Sequence, residues 1–276
     1  MADVRLVAVD LDGTLLDANS EVSAENLSAI KKIEESGVLF VPCTGRALGE
    51  IPDLVKNNED IRYIIYSNGA IILDKRTGKK VLNCIPKETC KEVYEIFSSY
   101  DLIYNIHCNE NDYAPYGYMD EELIRYYNVP NGSRNAIQVY AIKLHDFDAW
   151  KDGIDNVEVF NAFFHDKKEF DECVQRLNKI DGLLVVCVED YCLEIINSNA
   201  GKGNAVVTLS NMLGIDKAST VGIGDSGNDL PLMGGVGVRL AVSNAMPILK
   251  DVCDKVICSN NEHVADYVLN NVIAKK

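Results

Sequence analysis

The sequence lacks several features that would assign it to a common class of protein. It has no run of about 18 apolar residues, so we expect no membrane-spanning helix. Its nine cysteines include no Cys-x-x-Cys pair, and the closest spacings, Cys187/Cys192 and Cys253/Cys258, fit neither a zinc ribbon nor a redox motif. We expect no secretion signal, because the first residues show no charged leader followed by an apolar stretch and a small-residue cleavage site. We therefore expect a cytoplasmic protein with small buried cysteines such as Cys43 and Cys187.

Positive charge is also scarce. The 276 residues include 27 lysines and arginines against 42 aspartates and glutamates, which gives a formal net charge of −15. An acidic excess of this size repels nucleic-acid phosphates and anionic lipid, so neither is an expected partner. Any phosphate-binding site must offset this charge locally, with a metal ion, a lysine or backbone N–H groups. We expect a monomer or a small homo-oligomer.

Apolar segments without polar alternation dominate the start of the chain. They occupy residues 5–10 and 38–43, and two more flank Asn68-Gly69 within residues 63–73. Such runs are typical of strands that are buried on both faces, and Asn-Gly between two of them indicates a hairpin or tight turn. These strands alternate with helical patterns, which favours a parallel α/β sheet.

The segment between the first two strands carries the start and stop signals of a helix. Ser23 is a candidate N-cap and Gly37 a candidate C-terminal glycine. Leu27, Ile30 and Ile33 recur at helical spacing, so we predict that they form the buried stripe.

The middle of the chain, residues 84–197, is richer in Tyr, His and charge. Helical patterns lie near residues 87–99 and 167–180, and apolar stretches near residues 136–144, 157–164 and 183–196. We predict an α+β insertion with an antiparallel sheet, in which the Tyr-rich residues 112–127 form a loop and then a helix. The α/β pattern returns afterwards. The predicted division is a core of residues 1–83 and 198–276 around an inserted domain.

Two carboxylates follow the first predicted strand, in the motif Asp10-Leu-Asp12-Gly-Thr. Open α/β sheets bind ligands at the carboxyl ends of their strands, and an aspartate there can act as a covalent nucleophile. A second aspartate can serve as general acid if its surroundings keep it protonated. Gly13 permits a tight turn close to an anion. The alternative is an ordinary Asp-rich turn.

Two further motifs suit phosphate binding. Thr44-Gly45-Arg46 ends the second strand, where a hydroxyl and a bare backbone N–H form an anion site; the alternative is a capping threonine. Lys202, between Gly201 and Gly203 at a predicted helix start, can hold a phosphoryl group and offset nearby carboxylates. Most lysines, however, are simply solvated.

The segment GIGDSGNDLPLM at residues 222–233 places oxygen ligands at a strand end: Asp225, Asn228 and Asp229. Ligands of this kind suit Mg²⁺, which takes one or two carboxylates together with water and substrate phosphate. The glycines of this segment also spell the dinucleotide fingerprint G-x-G-x-x-G. We reject that interpretation because Asp225 would set a negative charge where a pyrophosphate must lie.

In this order, the motifs resemble those of the haloacid dehalogenase superfamily of phosphatases, and specifically its Cof-like branch with a large C2-type cap. The matching segments are DLDGTL (10–15), CTGR (43–46), Lys202-Gly203 and GDSGNDLPLM (224–233), with further similarity in SNGA (67–70) and in residues 243–269. The resemblance implies a Rossmann-like parallel-sheet core, an inserted α+β cap that selects the substrate, and a Mg²⁺-dependent phosphatase of small phosphate esters such as sugar phosphates.

The resemblance also implies a role for each residue of the first three motifs. Asp10 is the nucleophile that forms an aspartyl-phosphate, and Asp12 protonates the leaving oxygen and then activates water. Thr44, Gly45 and Lys202 bind the phosphate oxygens.

For the metal, the resemblance implies Mg²⁺ ligands from the carboxylates of Asp10 and Asp225 and from the backbone carbonyl of Asp12. Asn228 and Asp229 support the metal and lysine environment.

The cap carries the residues whose roles are least defined. Arg46 faces the cap or serves as a structural ion-pair partner. Candidate contacts to the leaving group, each also readable as surface or core filler, are His107, Tyr113, Tyr116, Tyr118 and His145. Two other functions remain open, a phosphomutase or phosphotransferase on the same fold and a non-catalytic binding protein.

Overall fold

A computed structural model of the chain describes residues 3–189 and 191–273. They fall into two compact units. The core unit comprises residues up to Gly45, Ile51–Val81 and the residues from Gly201 onward. The inserted unit comprises Arg46–Glu50 and Leu82–Ala200. Among the described residues, no helix combines the length and the apolar character that crossing a membrane requires.

The strands, in chain order, are β1 (Leu6–Val9), β2 (Leu39–Pro42), β3 (Tyr63–Tyr66), β4 (Ile71–Asp74), β5 (Lys79–Leu82), β6 (Leu102–Cys108), β7 (Asn111–Pro115), β8 (Ile142–Leu144), β9 (Val157–Phe164), β10 (Leu183–Glu189), β11 (Cys192–Asn197), β12 (Thr220–Gly224), β13 (Val238–Ala241) and β14 (Lys255–Val256). The helices are α1 (Ala24–Glu35), α2 (Asp53–Lys56), α3 (Lys87–Phe97), α4 (Glu121–Tyr126), α5 (Asn131–Val139), α6 (Phe147–Gly153), α7 (Lys167–Leu177), α8 (Lys202–Leu213), α9 (Leu230–Gly235), α10 (Pro247–Lys250) and α11 (Val264–Val268).

The core unit is built on a parallel sheet with the strand order β14-β13-β12-β1-β2. Strand β1 lies between β12 and β2, with Val9 opposite Ile223 on one side and opposite Pro42 on the other. All four residues of β1 are buried, as expected for a strand covered on both faces. The antiparallel pair β3–β4, joined through Ser67–Gly69, confirms the predicted hairpin. The predicted parallel α/β core is therefore confirmed.

Helix α1 begins and ends where its sequence signals indicate. The Ser23 hydroxyl accepts a hydrogen bond from the Asn26 backbone N–H at 3.1 Å, and Gly37 takes a positive φ of 84° after the last turn. The predicted stripe is only partly right, because Leu27 is half-buried while Asn26 is buried beside Ile30. The polar Asn26 replaces an apolar residue in the stripe because its amide has buried backbone partners, described below.

The inserted unit contains a six-stranded sheet with the order β10-β11-β9-β6-β7-β8. Its pairs are antiparallel except β7–β8, which is parallel. Helices α3 and α7 contribute Val93, Phe97, Phe170 and Cys173 to a core shared with Phe160 of β9. This agrees with the predicted α+β insertion.

Three local predictions for this unit need correction. The Tyr-rich stretch begins with strand β7 rather than with a loop. The apolar stretch near residues 136–144 is divided between α5 and the short strand β8. Cys187 is exposed on β10, an edge strand, whereas Cys43 is buried as predicted. An apolar run does not reveal whether its strand lies at the edge of a sheet.

Candidate active site

Three neighbouring parallel strands end at the same edge of the core sheet. Asp225 directly follows β12, Asp10 directly follows β1, and Thr44 comes two residues after β2. The Asp10 N–H continues the ladder by donating to the Ile223 carbonyl at 3.0 Å. Because parallel strands point the same way, their carboxyl ends meet at one edge, where open α/β sheets bind ligands.

The loop after β1 turns sharply at Leu11–Leu15. Two backbone hydrogen bonds close this turn. The Leu15 N–H donates to the Asp10 carbonyl at 3.2 Å, and the Leu16 N–H donates to the Leu11 carbonyl at 2.9 Å. Gly13 has a φ of 68°, and a Cβ at this position would lie 2.4 Å from Asp225 Oδ2. Only glycine therefore allows this loop to lie against the Asp225 carboxylate.

Lys202 is the first residue of α8, and it is 2 % exposed. Its Nζ lies 2.7 Å from Asp10 Oδ1 and 2.7 Å from Asp229 Oδ1. A buried lysine is retained at a reasonable free energy only when paired with opposite charge and hydrogen-bonded. Two carboxylates fulfil that condition here.

The charges of this cluster shift each other's ionisation. Burial disfavours the charged form of Lys202, but the carboxylates of Asp10 and Asp229 outweigh burial and raise the pKa of the ammonium. Burial and the neighbouring Asp229 raise the pKa of Asp10, while Lys202 acts in the opposite direction. Burial, followed by Asp229, raises the pKa of Asp225 to about 6. The cluster therefore holds more negative charge than one lysine neutralises.

Asp229 uses both of its oxygens to hold this arrangement. Oδ1 accepts from Lys202, and Oδ2 accepts from the backbone N–H groups of Asp225 at 3.0 Å and of Ser226 at 3.3 Å. A Cβ on Gly224 would lie 2.4 Å from that Oδ2, so glycine is required for the carboxylate to approach the strand end. Asn228 Oδ1 accepts from the Ser226 hydroxyl at 2.8 Å.

The carboxylates of Asp10, Asp225 and Asp229 offer ligand oxygens within 4.8 Å of one another. Because one lysine carries a single positive charge against three carboxylates, a divalent cation would balance the remaining negative charge. Carboxylate oxygens are the donors that Mg²⁺ and similar hard cations prefer. With Asp229 engaged by Lys202 and by two N–H groups, Asp10 and Asp225 are the donors best suited to a metal ion.

Thr44 and Gly45 lie against the hairpin turn of β3–β4. The Thr44 N–H donates to the Ile65 carbonyl at 3.0 Å, and the Thr44 carbonyl accepts from the Asn68 N–H at 3.0 Å. A Cβ on Gly45 would lie 2.9 Å from Asn68 Oδ1. The Asn68 carbonyl in turn accepts from the Gly201 N–H at 2.9 Å, next to Lys202. Asn68 therefore links two predicted phosphate-binding segments.

Asn68 was not predicted as a site residue. Its φ of 53° lies in the left-handed region, which asparagine tolerates better than most residues. Two other asparagines were also missed. Asn244 Nδ2 donates to the Gly13 carbonyl at 2.8 Å and so fixes the turn beside Asp225. Asn26 Nδ2 donates to the Leu15 carbonyl at 3.4 Å, at the end of the same loop. Asn-Gly at a predicted turn was the only signal for any of them.

The remaining predicted residues lie in the inserted unit. Arg46 Nη1 donates to the Glu50 carbonyl at 2.7 Å. Tyr118 is buried, and its hydroxyl accepts from the Tyr104 N–H at 2.9 Å, a structural contact. The rings of Tyr116 and His145 stack with centroids 4.0 Å apart.

Tyr113 packs against Trp150 with ring centroids 4.4 Å apart. His107 is buried among carboxylates.

A sequence model described as haloacid dehalogenase-like hydrolase matches residues 7–269. A 5-amino-6-(5-phospho-D-ribitylamino)uracil phosphatase of Bacillus subtilis (strain 168) is 28 % identical, over 98 % of this chain and 99 % of the relative. An HMP-PP phosphatase of Serratia proteamaculans (strain 568) is 25 % identical, over 90 % of this chain and 87 % of the relative.

Among solved structures, a haloacid dehalogenase-like hydrolase from B. subtilis superposes with a TM-score of 0.81 at 24 % identity, covering 98 % of this chain and all of that one. These similarities extend over both units. They confirm the family and the fold that the motifs predict, and the relatives named as phosphatases agree with the predicted enzyme class.

Proposed function

The chain belongs to the haloacid dehalogenase-like hydrolase family, and we propose that it hydrolyses phosphate monoesters of small metabolites through an aspartyl-phosphate at Asp10. The observation that carries this proposal is the buried contact of 2.7 Å between Lys202 Nζ and Asp10 Oδ1 at the carboxyl edge of the sheet. This lysine opposes the rise in the pKa of Asp10 that burial and Asp229 cause, and it also supplies positive charge for a phosphoryl group. A strongly acidic protein needs such a group before a phosphate can approach.

The donor set suits a divalent metal ion, and we infer Mg²⁺ held by the carboxylates of Asp10 and Asp225 and by the Asp12 carbonyl. The raised pKa of Asp225, about 6, supports this inference, because a cation beside it would stabilise the charged form. The ion supplies positive charge that offsets the negative charge of the phosphoryl oxygens. Asn228 and Asp229 support this arrangement through the Ser226 turn and through Lys202.

In the first step, a carboxylate oxygen of Asp10 attacks phosphorus, and the bond from phosphorus to the ester oxygen breaks. Asp12, which is exposed and lies two residues further along the turned loop, donates its proton to the departing oxygen. Thr44, Gly45 and Lys202 hold the phosphoryl oxygens while this occurs. The products are an alcohol and the aspartyl-phosphate.

In the second step, the Asp12 carboxylate removes a proton from water as the water oxygen attacks phosphorus. The bond between phosphorus and the Asp10 oxygen breaks, which releases inorganic phosphate and restores both carboxyl groups. Asp12 gives up a proton in the first step and takes one in the second, and its exposed position leaves its carboxyl in contact with water. An exposed carboxyl exchanges protons with water more easily than a buried one.

For the substrate, we infer a sugar or polyol phosphate whose leaving group is selected by the inserted unit, residues 84–197 in the sequence-based division. The B. subtilis relative is a phosphatase of a phosphorylated ribitylamino compound, which supports a polyol leaving group. Arg46 belongs to the inserted unit although it directly follows Thr44-Gly45 in the chain. It is therefore our candidate for a residue of the inserted unit that contacts the leaving group.

The experiment is phosphate release from a panel of sugar, polyol, nucleotide and cofactor phosphates, with Mg²⁺ and with EDTA. We expect release from at least one sugar or polyol phosphate, its loss in EDTA, and its recovery when Mg²⁺ is restored. Release that is unaffected by EDTA would contradict the metal assignment. Phosphate transfer between positions of a sugar, without release, would identify a phosphomutase instead.

A further inference from the structure

The inserted unit contains a second cluster of potential ligands. Glu50, His107 and Asp112 are 2 %, 6 % and 1 % exposed, and each offers a ligand atom within 4.8 Å of the others. His107 on β6 stands directly opposite Asp112 on β7, so the antiparallel register brings their side chains to the same face. Glu50 joins them from the short segment Arg46–Glu50, with Oε2 at 3.9 Å from His107 Nε2.

Each of these side chains has one buried polar atom that forms no hydrogen bond with any of the residues that the structure describes. These atoms are Glu50 Oε1, His107 Nδ1 and Asp112 Oδ2, and the neighbouring Asn105 Oδ1 is unpartnered as well. Buried polar groups in folded proteins almost always have partners, so four orphaned atoms in one cluster require an explanation. A metal ion or a water molecule bound within the cluster would supply the missing partners.

The remaining atoms of the same side chains are held by the protein. Glu50 Oε2 accepts from the Ala47 N–H at 2.7 Å, and Asp112 Oδ1 accepts from Asn105 Nδ2 at 2.7 Å. His107 Nε2 lies 3.3 Å from Asn161 Nδ2. Hydrogen bonds of this kind from the surrounding protein are typical of metal ligands, because they orient the ligands toward the ion.

Charge and size both favour a metal ion over a larger ligand. Two carboxylates match the charge of a divalent cation, and an imidazole adds a donor that transition metals accept. Ligand atoms around a tetrahedral ion with bonds of about 2.1 Å lie about 3.4 Å apart, so a cluster within 4.8 Å closes around an ion with small side-chain shifts.

We propose that Glu50, His107, Asp112 and Asn105 form a divalent transition-metal site, for Zn²⁺ or Mn²⁺, within the inserted unit. The site shares no residue with the Asp10–Asp225 cluster and does not depend on the proposed phosphatase mechanism. Its physical role is to fix the segment Arg46–Glu50 to strands β6 and β7. Since that segment directly follows Thr44-Gly45 in the chain, the ion also limits the conformations open to Arg46.

Protons are the competing explanation for the cluster. Burial opposes a charged His107, but Glu50 and Asp112 outweigh it and raise the pKa of the imidazole. Burial raises the pKa of Asp112 to about 6, against the effect of His107. A protonated His107 between two carboxyl groups, with a buried water, would then satisfy the cluster without metal. The two explanations differ in metal content and in the state of the His107 ring.

The test uses the full chain without an affinity tag, dialysed against a chelator and titrated with Zn²⁺ alone. The chain has four histidines, so the ring nitrogens can be followed individually by NMR after ¹⁵N-histidine labelling. We expect one equivalent of Zn²⁺ to shift the ring resonances of His107 and to leave those of His165 unchanged. In a parallel titration, Mn²⁺ should broaden the same His107 resonances first. Unmoved His107 resonances in saturating Zn²⁺ and Mn²⁺ would overturn the proposal.

A pair of variants provides the matched comparison. His107→Gln removes the imidazole, whereas His165→Gln removes a histidine that also lies beside a carboxylate, at 3.7 Å from Asp101 Oδ2. Within the described part of the chain, His165 belongs to no comparable cluster of metal ligands. Elemental analysis after equilibration with Zn²⁺ should find one equivalent less in His107→Gln than in His165→Gln. Equal zinc content in the two folded variants would refute the site and would assign any uptake to thiols or to the core carboxylates. If His107→Gln does not fold, the NMR titration of the unaltered chain decides the question.

Discussion

Replacing Lys202 by methionine tests the electrostatic account of the core site. Methionine keeps much of the side-chain volume but leaves the carboxylates of Asp10 and Asp229 buried without their shared partner. Each contact is 2.7 Å long, so each pair is worth about 6 kcal/mol at an effective dielectric constant of about 20, before desolvation is subtracted. Breaking buried pairs by removing one partner costs about 3–5 kcal/mol in proteins.

We therefore expect Lys202→Met to lower the free energy of unfolding of the core unit by about 3–5 kcal/mol. For a domain of this size, the loss corresponds to a decrease in Tm of roughly 6–20 °C. Urea unfolding followed by circular dichroism measures the change, and an unchanged m-value shows that the folded and unfolded states keep their compactness. Phosphatase activity should be lost as well, because the variant lacks the ammonium group that contacts Asp10 and that we propose holds the phosphoryl oxygens.

Two comparisons isolate the cause. Lys31→Met removes a lysine that is 59 % exposed and lies 4.0 Å from Glu35, a surface pair whose loss should cost less than about 1 kcal/mol. Adding Asp229→Asn to Lys202→Met removes one of the uncompensated carboxylates, so stability should partly recover while activity does not. A loss below about 1 kcal/mol in Lys202→Met would refute the reasoning, since no buried charge would then have been stranded.

Other substitutions test single parts of the site. Asp12→Ala should lower kcat for the hydrolysis of sugar phosphates far more than for nitrophenyl phosphate, because a good leaving group needs no proton. Equal losses of kcat for the two substrates would contradict the role of Asp12 as general acid. Gly13→Ala places a Cβ on a residue with a positive φ of 68° and within 2.4 Å of Asp225 Oδ2. We expect a large loss of kcat and a destabilisation of about 1–2 kcal/mol. An unaltered kcat would show that the reaction does not require this turn. Asn26→Leu removes both backbone contacts of a buried amide and should cost about 1–3 kcal/mol in urea unfolding, whereas Ser28→Ala on the exposed face of α1 should cost little; similar losses would count against the account.

The position of the candidate site at the edge of the core sheet could be predicted because the signals for it are close together in the sequence. A continuous apolar run followed by Asp10 identifies a buried strand and its carboxyl end, and parallel pairing then brings the ends of β1, β2 and β12 together. The motif around Lys202 alone does not distinguish a phosphate-binding lysine from a solvated one. Its order among the other motifs supports the prediction of phosphate binding. The residue roles within the site stay predictions that the proposed experiments address.

The supporting asparagines could not be predicted in the same way. Asn26 interrupts an apolar stripe, and its partners are the Leu15 carbonyl and the Ala265 N–H, the second of them 239 residues away in the chain. No periodicity encodes such a contact, because it depends on tertiary structure. Asn244 likewise reaches Gly13 across 231 residues. Side chains that form hydrogen bonds with backbone groups far away in the sequence are therefore the part of the site that could not be predicted from a single sequence.

The second ligand cluster shows the same limit. His107 and Asp112 are five residues apart, and their pairing follows from the β6–β7 hairpin, in which most of β7 falls within the start of residues 112–127 that the sequence analysis predicted as a loop. Glu50 comes from a segment that precedes the inserted strands by more than 50 residues and that lies within the inserted unit. Neither the strand register nor this placement could be deduced from residue patterns.

The measurement that tests the central claim most directly is identification of the phosphorylated residue. Asp12→Asn, which should slow breakdown of the intermediate, is mixed with Mg²⁺ and nitrophenyl phosphate, quenched in acid and digested for mass spectrometry. We predict one added phosphoryl group on the peptide that contains Asp10, sensitive to hydroxylamine and absent from Asp10→Asn. A phosphoryl group on another residue, or undiminished turnover in Asp10→Asn, would contradict the account.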